Sequence, residues 1–165
     1  MIDLVLGIDP GLNGALAFFG RGNPLDSGAD HFTIFDMPTF GDGKQRAIND
    51  VLLANIIMQF KPRLALIEKV SAMSGWGLGS TWRFAQSFGT ILGVLGALKI
   101  PKTHITPQKW KKHYGLPGGD KEAARRMCIE RWPHSQTLWA RKKDHNRAEA
   151  SLLAAYAKQH LKELV

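Results

Sequence analysis

The most constraining feature of the sequence is an acid at the end of an apolar run near the N-terminus. Residues 4–9 read Leu-Val-Leu-Gly-Ile-Asp, which is typical of a buried strand, and Pro10 and Gly11 end that strand directly after Asp9. Ionising a carboxylate in such a place costs on the order of several kcal/mol unless a cation or hydrogen-bond donors meet it. The pattern therefore predicts that Asp9 is held on a rigid sheet, where it is well placed to bind a metal ion.

Length and cysteine content indicate a single-domain protein that folds without disulfides. The chain has 165 residues, which predicts a single domain over residues 1–165 that folds without disulfides. Its one cysteine, Cys128, excludes zinc sites built on several cysteines and fits a reducing compartment. The sequence predicts no signal peptide and no membrane-spanning run. We therefore expect a cytoplasmic protein of a bacterium or a phage-infected host, with an organelle as the alternative.

The charge of the chain is strongly positive and unevenly distributed. Its net charge is +8, from 22 lysines and arginines against 14 acids. Residues 99–113 contain five lysines and no acid, and residues 121–147 add eight further basic side chains. Such a chain is expected to bind a polyanion, most simply a nucleic acid. The alternative is a basic, solvated surface with no partner.

Hydrophobic periodicity predicts a mixed α/β sheet flanked by helices. Three strands come first, followed by a loop over residues 37–46 and a helix from Asn49 that ends at Pro62. Strands and helices then alternate. The predicted elements are strands at 4–9, 14–19, 32–36, 64–68 and 102–105, and helices at 49–61, 81–98, 107–113, 121–132 and from 144 onward.

Acids recur at the ends of predicted elements. The strand at 64–68 ends on Glu68, and the last helix opens with Asp144, His145 and Glu149. His145 and Glu149 are four residues apart and share a helix face. Asp144 could act from the cap position or could only complement the helix dipole. The candidate catalytic and metal-binding residues are Asp9, Glu68, His145, Glu149 and Asp144.

The chemistry of this set indicates the type of reaction. Several carboxylates with a histidine and no thiolate favour Mg²⁺, for which Mn²⁺ can substitute. In a basic chain, the reaction that needs such a site is phosphodiester hydrolysis, in which two ions about 3.5–4 Å apart clamp the attacking water and the leaving oxygen. No Gly-rich P-loop motif is present, so the sequence does not support a P-loop nucleotide site.

The ordered motifs resemble those of one nuclease family over nearly the whole chain. They are Gly-Ile-Asp-Pro-Gly at 7–11, Ile-Glu-Lys-Val at 67–70, Thr-Pro-Gln-Lys-Trp-Lys at 106–111, Lys-Glu-Ala at 121–123 and Asp-His-Asn-Arg-Ala-Glu-Ala at 144–150. Together they resemble the RuvC Holliday junction resolvases of the RNase H-like superfamily, and most closely the phage-type and organellar branch. The resemblance implies an RNase H-like, mixed five-stranded sheet flanked by helices. It also implies a homodimer that binds a four-way DNA junction and nicks two strands symmetrically with magnesium and water.

The resemblance also implies roles for individual acids. Asp9, Glu68 and Glu149 match the family's metal-binding acids. His145 falls where relatives carry an aspartate or histidine. Many bacterial members carry another acid three residues before the last one, and this chain has an asparagine there. The fourth ligand therefore stays open between His145 and Asp144.

Basic and aromatic residues complete the prediction. Lys111 and Lys121 resemble the family's basic residues close to the scissile phosphate, so Lys121 joins the catalytic candidates. Trp76, between two glycines, either stacks on an unpaired base or folds onto the core. The helix at 81–98 is rich in small residues, which suit either a two-fold interface or packing within the monomer. The predicted DNA-binding residues are Lys109, Lys111, Lys112, Lys121, Trp76 and Arg125.

Other functions remain compatible with the sequence. A nuclease for forks, flaps or other branched DNA shares the predicted fold, because structure-selective enzymes recognise backbone shape rather than a base code. A non-catalytic binder of branched DNA needs the basic residues but not the acids. An actin-like ATPase shares the Asp-x-Gly start, but 165 residues are too few for its two lobes.

Overall fold

A computed structural model describes residues 4–21, 30–69, 75, 77–116, 118 and 120–164, with the backbone alone at Arg21. The strands are β1 (Val5–Asp9), β2 (Ala15–Arg21), β3 (Asp30–Asp36), β4 (Thr39–Phe40), β5 (Ala47–Ile48), β6 (Leu64–Glu68) and β7 (Lys102–Ile105). The helices are α1 (Asp50–Phe60), α2 (Leu78–Ala97), α3 (Pro107–His113), α4 (Ala123–Arg131), α5 (His145–Gln159) and α6 (Leu161–Leu164). Short 3₁₀ turns cover Gly43–Gln45, Pro133–Trp139 and Lys142–Asp144.

Five of the strands form one mixed sheet in the order β3-β2-β1-β6-β7. Strands β1, β2 and β3 are antiparallel neighbours, whereas β6 and β7 run parallel to β1. The parallel strands are joined by helical crossovers, and β1 and β2 are joined by a short turn. The predicted fold class, a mixed five-stranded sheet flanked by helices, is confirmed.

The sheet separates two apolar cores. Odd-numbered residues of β1, such as Val5, face a core built with α3, α4 and α5, and even-numbered ones, such as Leu6 and Ile8, face α1 and α2. Helix α5 is buried almost all round at its centre, as expected for a helix covered on several sides. Trp110, Trp132 and Trp139 lie in the α5 core.

The structure corrects several predicted boundaries. The predicted loop at 37–46 contains β4 and a 3₁₀ turn. The sequence does not predict β4, because a strand of two residues has too few side chains to show an alternating pattern. Helix α2 begins at Leu78 rather than at residue 81, and α4 covers residues 123–131 rather than 121–132. Among the described helices, none is long and apolar enough to cross a membrane.

Candidate metal centre

Two neighbouring strands bring the first two acids together. Strands β1 and β6 are parallel, and their register pairs Ile8 with Ile67, so the next residues, Asp9 and Glu68, lie side by side. Both side chains point to the face that α5 covers, because they follow the alternation of Val5 and Leu64 in that core. The two strand-terminal acids therefore meet at one end of the sheet.

Helix α5 brings the third acid, and a glycine lets it approach. A Cβ atom added at Gly7 of β1 would overlap the carbonyl oxygen of Ala150 and the amide nitrogen of Ala154. The backbone of α5 therefore lies directly on β1, which only glycine permits at this position. Glu149, one residue before Ala150, is carried by this contact to the end of β1, beside Asp9.

The three acids form a compact cluster. One ligand oxygen from each of Asp9, Glu68 and Glu149 lies within 4.8 Å of the other two, and no other described residues form such a group of three. Burial, and then the charges of Glu149 and Glu68, raise the pKa of Asp9 well above its ordinary value. Burial also raises the pKa of Glu68. Three acids this close in a mostly buried place need a cation to ionise together.

Helix α3 supports the cluster with two adjacent residues that act differently. The indole N–H of Trp110 donates a hydrogen bond to Oε1 of Glu68 over 2.9 Å, and the Trp110 side chain is fully buried. Nζ of Lys111 lies 3.3 Å from Oε1 of Glu149 and 5.1 Å from the centre of the Trp110 ring. Trp110 therefore orients one acid, and Lys111 neutralises part of the charge of another. The sequence does not reveal this polar role of Trp110, because Glu68 is 42 residues away along the chain.

The two competing candidates for the fourth ligand lie apart from the cluster. Asp144 is 2% exposed, and both its oxygens accept hydrogen bonds from the amide and guanidinium of Arg141. Burial alone would raise the pKa of Asp144, but these hydrogen bonds from Arg141 lower it below its ordinary value. His145 opens α5 one turn before Glu149, and its Nδ1 lies 3.3 Å from the carbonyl oxygen of Lys142.

The turn that follows Asp9 is held in place by an arginine and an asparagine that the sequence analysis did not single out. Arg46 donates hydrogen bonds to Oδ1 of Asn13 over 2.6 Å and to the carbonyl oxygen of Leu12 over 2.7 Å. Asn146 of α5 donates to the carbonyl oxygen of Asn13. The turn is therefore tied to both the β4–β5 segment and α5, which limits movement of Asp9. No local sequence pattern could reveal these contacts, because the partners are 33 and 133 residues apart.

Comparison with solved structures shows which known fold this chain has. Thermus thermophilus RuvC in complex with a Holliday junction substrate superposes with a TM-score of 0.66 at 14% identity, over 97% of this chain and 95% of that chain. The chain has the RuvC fold. A second structure of Thermus thermophilus RuvC matches with a TM-score of 0.65 at 17% identity, over 97% of this chain and 96% of that one. The yeast mitochondrial Holliday junction resolvase Ydc2 matches with a TM-score of 0.60 at 15% identity, over 98% of this chain and 84% of that one.

The likeness to RuvC lies in structure rather than in overall sequence. No protein-family model matches the sequence, and no curated protein matches it significantly. The resemblance inferred from the spaced motifs is thus confirmed at the level of the fold.

Around this RuvC-like fold, the predicted DNA-binding residues fall into four groups. Lys111 is half-buried and pairs with Glu149. Lys109 and Lys112 on α3 and Lys121 before α4 are exposed. Arg125 is instead engaged inside the protein, because its side chain bonds to Glu122 and to the carbonyl oxygens of residues 139 and 140. Trp76 lies outside the described residues.

Proposed function

We propose that this protein is a structure-selective endonuclease that resolves four-way (Holliday) DNA junctions by metal-dependent, symmetric nicking with water as the nucleophile. The observation that carries the proposal is the cluster of Asp9, Glu68 and Glu149 at the end of the central strands of a RuvC fold. One solved protein with this fold is described in complex with a Holliday junction substrate, and another as a mitochondrial Holliday junction resolvase.

The acid cluster fits a hard divalent cation. Oxygen ligands of one Mg²⁺ ion lie about 2.1 Å from it and are therefore at most roughly 4.2 Å apart. The cluster, whose ligand atoms lie within 4.8 Å, reaches this geometry with small side-chain movements. Three carboxylates with one lysine nearby also leave an excess of negative charge, which a divalent cation offsets. We assign Asp9, Glu68 and Glu149 as ligands of Mg²⁺, with Mn²⁺ able to substitute and two ions in each site.

The chain's own residues supply the remaining chemistry. When bound, the metal ions generate the nucleophile and stabilise the leaving oxygen. Lys111, beside Glu149, is positioned to balance negative charge that develops on the scissile phosphate. We assign Lys121 the same role from the turn before α4, where its side chain is exposed to a bound strand. Trp110 keeps the Glu68 carboxylate in one orientation while charge develops on the scissile phosphate.

We infer that His145, rather than Asp144, supplies the fourth ligand. Both oxygens of Asp144 already accept hydrogen bonds from Arg141, so metal binding there would require that ion pair to break. His145 lies one turn before Glu149 on the same face of α5, and no carboxylate pairs with it among the described residues. In this assignment Asp144 has a structural role at the start of α5.

DNA binding and assembly follow from exposed surfaces. The proposed DNA surface contains Lys109, Lys111, Lys112 and Lys121, and it excludes Arg125 because that side chain is engaged inside the protein. For the homodimer, the outer side of α2 offers Leu78 at 88% and Trp82 at 70% exposure. Leu78 and Trp82 are four residues apart on one face of α2, and adjoining exposed apolar side chains are typical of interaction surfaces. The dimer places two acid clusters on one junction and acts in the cytoplasm or in an organelle, where such DNA occurs.

The test compares substrates of different shape. We expect the protein with Mg²⁺ to cut a four-way junction far faster than a three-way junction or a linear duplex of the same sequence. Equal cutting of three-way and four-way DNA would favour a nuclease for other branched DNA. Binding without cutting, together with unchanged behaviour of Asp9→Asn, would favour a non-catalytic binder.

A further inference from the structure

A cavity of about 470 Å³ opens beside Asp9, between the turn that follows β1 and helix α2. Its volume lies within the usual range of roughly 300–1,000 Å³ for sites that bind small ligands. Asp9 and the turn residues form one wall. The other wall comes from one side of α2, through Ser80, Arg83, Phe84 and Ser87. The cavity therefore begins at the acid cluster and leads away from it along α2.

Arg83 is the one cation among the described residues that line this cavity. A guanidinium nitrogen of Arg83 lies 3.4 Å from the hydroxyl oxygen of Ser80, which is uncharged. Among the described residues, no carboxylate pairs with Arg83, whereas Arg141 pairs with Asp144 and Arg147 pairs with Asp36. A guanidinium in a cavity without an acid partner is suited to an anion from outside, and its fork of N–H groups matches a phosphate.

The neighbouring surface continues this basic path. Arg83 also lines a smaller cavity of about 180 Å³, together with Arg46 and with Asp50, whose carboxylate accepts a hydrogen bond from the amide of Val51. Arg46 is itself held by hydrogen bonds to Thr39, Asn13 and Leu12, so its position is fixed before any ligand binds. Two arginines thus follow one another along a groove that starts at Asp9. This side of the site is separate from the lysines of α3.

We propose that the cavity binds the nucleotide adjoining the scissile phosphate and that Arg83 binds the next backbone phosphate of that same strand. This inference rests on the proposed function and adds to it the path of the cut strand, from the acid cluster along α2 toward Arg46. The proposed ligand is a single DNA strand rather than a duplex, because a cavity of about 470 Å³ has room for a group of small-ligand size and not for a double helix. Phe84 gives the base an apolar ring to pack against.

The test is a double-mutant cycle between Arg83 and single phosphates. Four-way junctions carry one neutral methylphosphonate at each position within three nucleotides of the nick, and binding is measured in chelator for the wild type and Arg83→Gln. We expect Arg83→Gln to weaken binding of the unmodified junction several-fold and to reduce the slope of log K against log salt concentration by about 0.7–0.9. At one position the methylphosphonate should weaken wild-type binding but not weaken Arg83→Gln binding further.

Two further variants make the result specific. Lys99→Gln removes one positive charge near the opposite end of the sheet and should leave both affinity and salt slope close to the wild-type values. Arg83→Lys keeps the charge and should recover part of the affinity. The proposal is overturned if Arg83→Gln binds like the wild type, or if every methylphosphonate weakens both proteins equally.

Wild-type cleavage of the unmodified junction with Mg²⁺ separates this inference from the proposed function. If the wild type cuts the junction and no phosphate couples to Arg83, the strand path alone is wrong. If the wild type does not cut it, both the proposed function and the strand path are wrong.

Discussion

The hydrogen bond from Trp110 to Glu68 makes a buried tryptophan part of the metal site. Trp110→Phe keeps an aromatic ring in the core but removes the N–H donor. Groups that orient metal ligands typically contribute about 10–100-fold in metal affinity or activity. We therefore expect this variant to fold, to bind junction DNA, and to need at least about tenfold more Mg²⁺ for half-maximal cleavage, measured by titrating Mg²⁺ at fixed DNA.

The chain offers a matched control for that substitution. The indole N–H of Trp132 also donates to a carboxylate, that of Asp30 over 3.2 Å, and Asp30 lies at the start of β3 outside the acid cluster. Trp132→Phe should leave the Mg²⁺ requirement unchanged. Equal Mg²⁺ requirements for Trp110→Phe and the wild type would show that the bond to Glu68 has no role in metal binding.

The raised pKa of Asp9 predicts how stability depends on pH without metal. The folded state holds the Asp9 proton more tightly than the unfolded chain does, because burial and the charges of Glu149 and Glu68 disfavour ionisation. The Asp9 contribution to the free energy of unfolding is therefore fully present below about pH 4 and declines as the pH rises through the raised value. Asparagine does not ionise, so Asp9→Asn does not lose stability as the pH rises. In chelator at pH 8, this variant should therefore melt at a higher temperature than the wild type.

Thermal unfolding between pH 5 and pH 8 measures the effect. The melting-temperature difference between Asp9→Asn and the wild type should widen with pH. It should grow by about 2–4 °C for each kcal/mol by which the wild type loses free energy of unfolding relative to Asp9→Asn. Asp42→Asn, at an exposed acid outside the cluster, should show a constant difference. Added Mg²⁺ should stabilise the wild type more than Asp9→Asn. A difference that does not change with pH would contradict the electrostatic account of the cluster.

At the residue scale, the sequence identifies acids better than their partners. Asp9 and Glu68 stand out because each ends an apolar run, and Glu149 because it interrupts an apolar helix. The bond from Trp110 to Glu68 joins residues 42 apart, and no local pattern encodes it. Asp144 resembles a ligand in sequence, but its salt bridge to Arg141 is visible only once both side chains are placed.

At the scale of elements, the site depends on how closely α5 lies on β1. Gly7→Ala would place a methyl group on backbone atoms of Ala150 and Ala154, which cannot turn aside as a flexible side chain can. We expect α5 to be displaced, with a loss of about 1–3 kcal/mol in stability. A shift of about 1 Å at a catalytic group can cost roughly 100-fold in rate. Cleavage should therefore fall by about that factor, measured in single-turnover assays alongside denaturant unfolding.

Another glycine provides the control for this variant. Gly79 is exposed in the first turn of α2, and no described atom lies within 4 Å of a Cβ added there. Gly79→Ala should keep wild-type cleavage and gain a few tenths of a kcal/mol to about 1 kcal/mol in stability. Wild-type cleavage by Gly7→Ala would mean that the close contact of α5 with β1 does not position Glu149.

Elements with several turns or several alternating residues were predictable from the sequence. Strands β1 and β6 and helix α1 appear near their predicted positions, because periodicity and capping by Asn49 are local signals. The 3₁₀ turn at Pro133–Trp139 was missed, because it is held by contacts of Trp132 and Trp139 with β3 and α5. The strand order likewise depends on long-range packing rather than on any one segment.

At the scale of the whole molecule, we expect a dimer formed through α2. Trp82 is 70% exposed on the outer side of that helix, so a charge there should disrupt the interface with little effect on the fold. Trp82→Lys should sediment as a monomer at concentrations at which the wild type sediments as a dimer. Trp82→Lys should also cut one strand of a four-way junction at a time, in place of the two symmetric nicks expected of the dimer.

Val51→Lys is the comparison for this substitution. Val51 is 66% exposed on α1, and the variant introduces the same charge at a similarly exposed apolar position. It should remain dimeric. A wild type that sediments as a monomer at all concentrations, or a dimeric Trp82→Lys, would contradict the proposed interface.

Three acids from β1, β6 and α5 form the proposed metal site that cuts a four-way junction. The most direct measurement maps nicks at nucleotide resolution on a mobile four-way junction with Mg²⁺, for the wild type, Asp9→Asn and the control Asp42→Asn. We expect symmetric nicks for the wild type and the control, and none for Asp9→Asn, which should still bind the junction. Nicks made by Asp9→Asn at the wild-type rate, or none made by the wild type, would contradict this proposal.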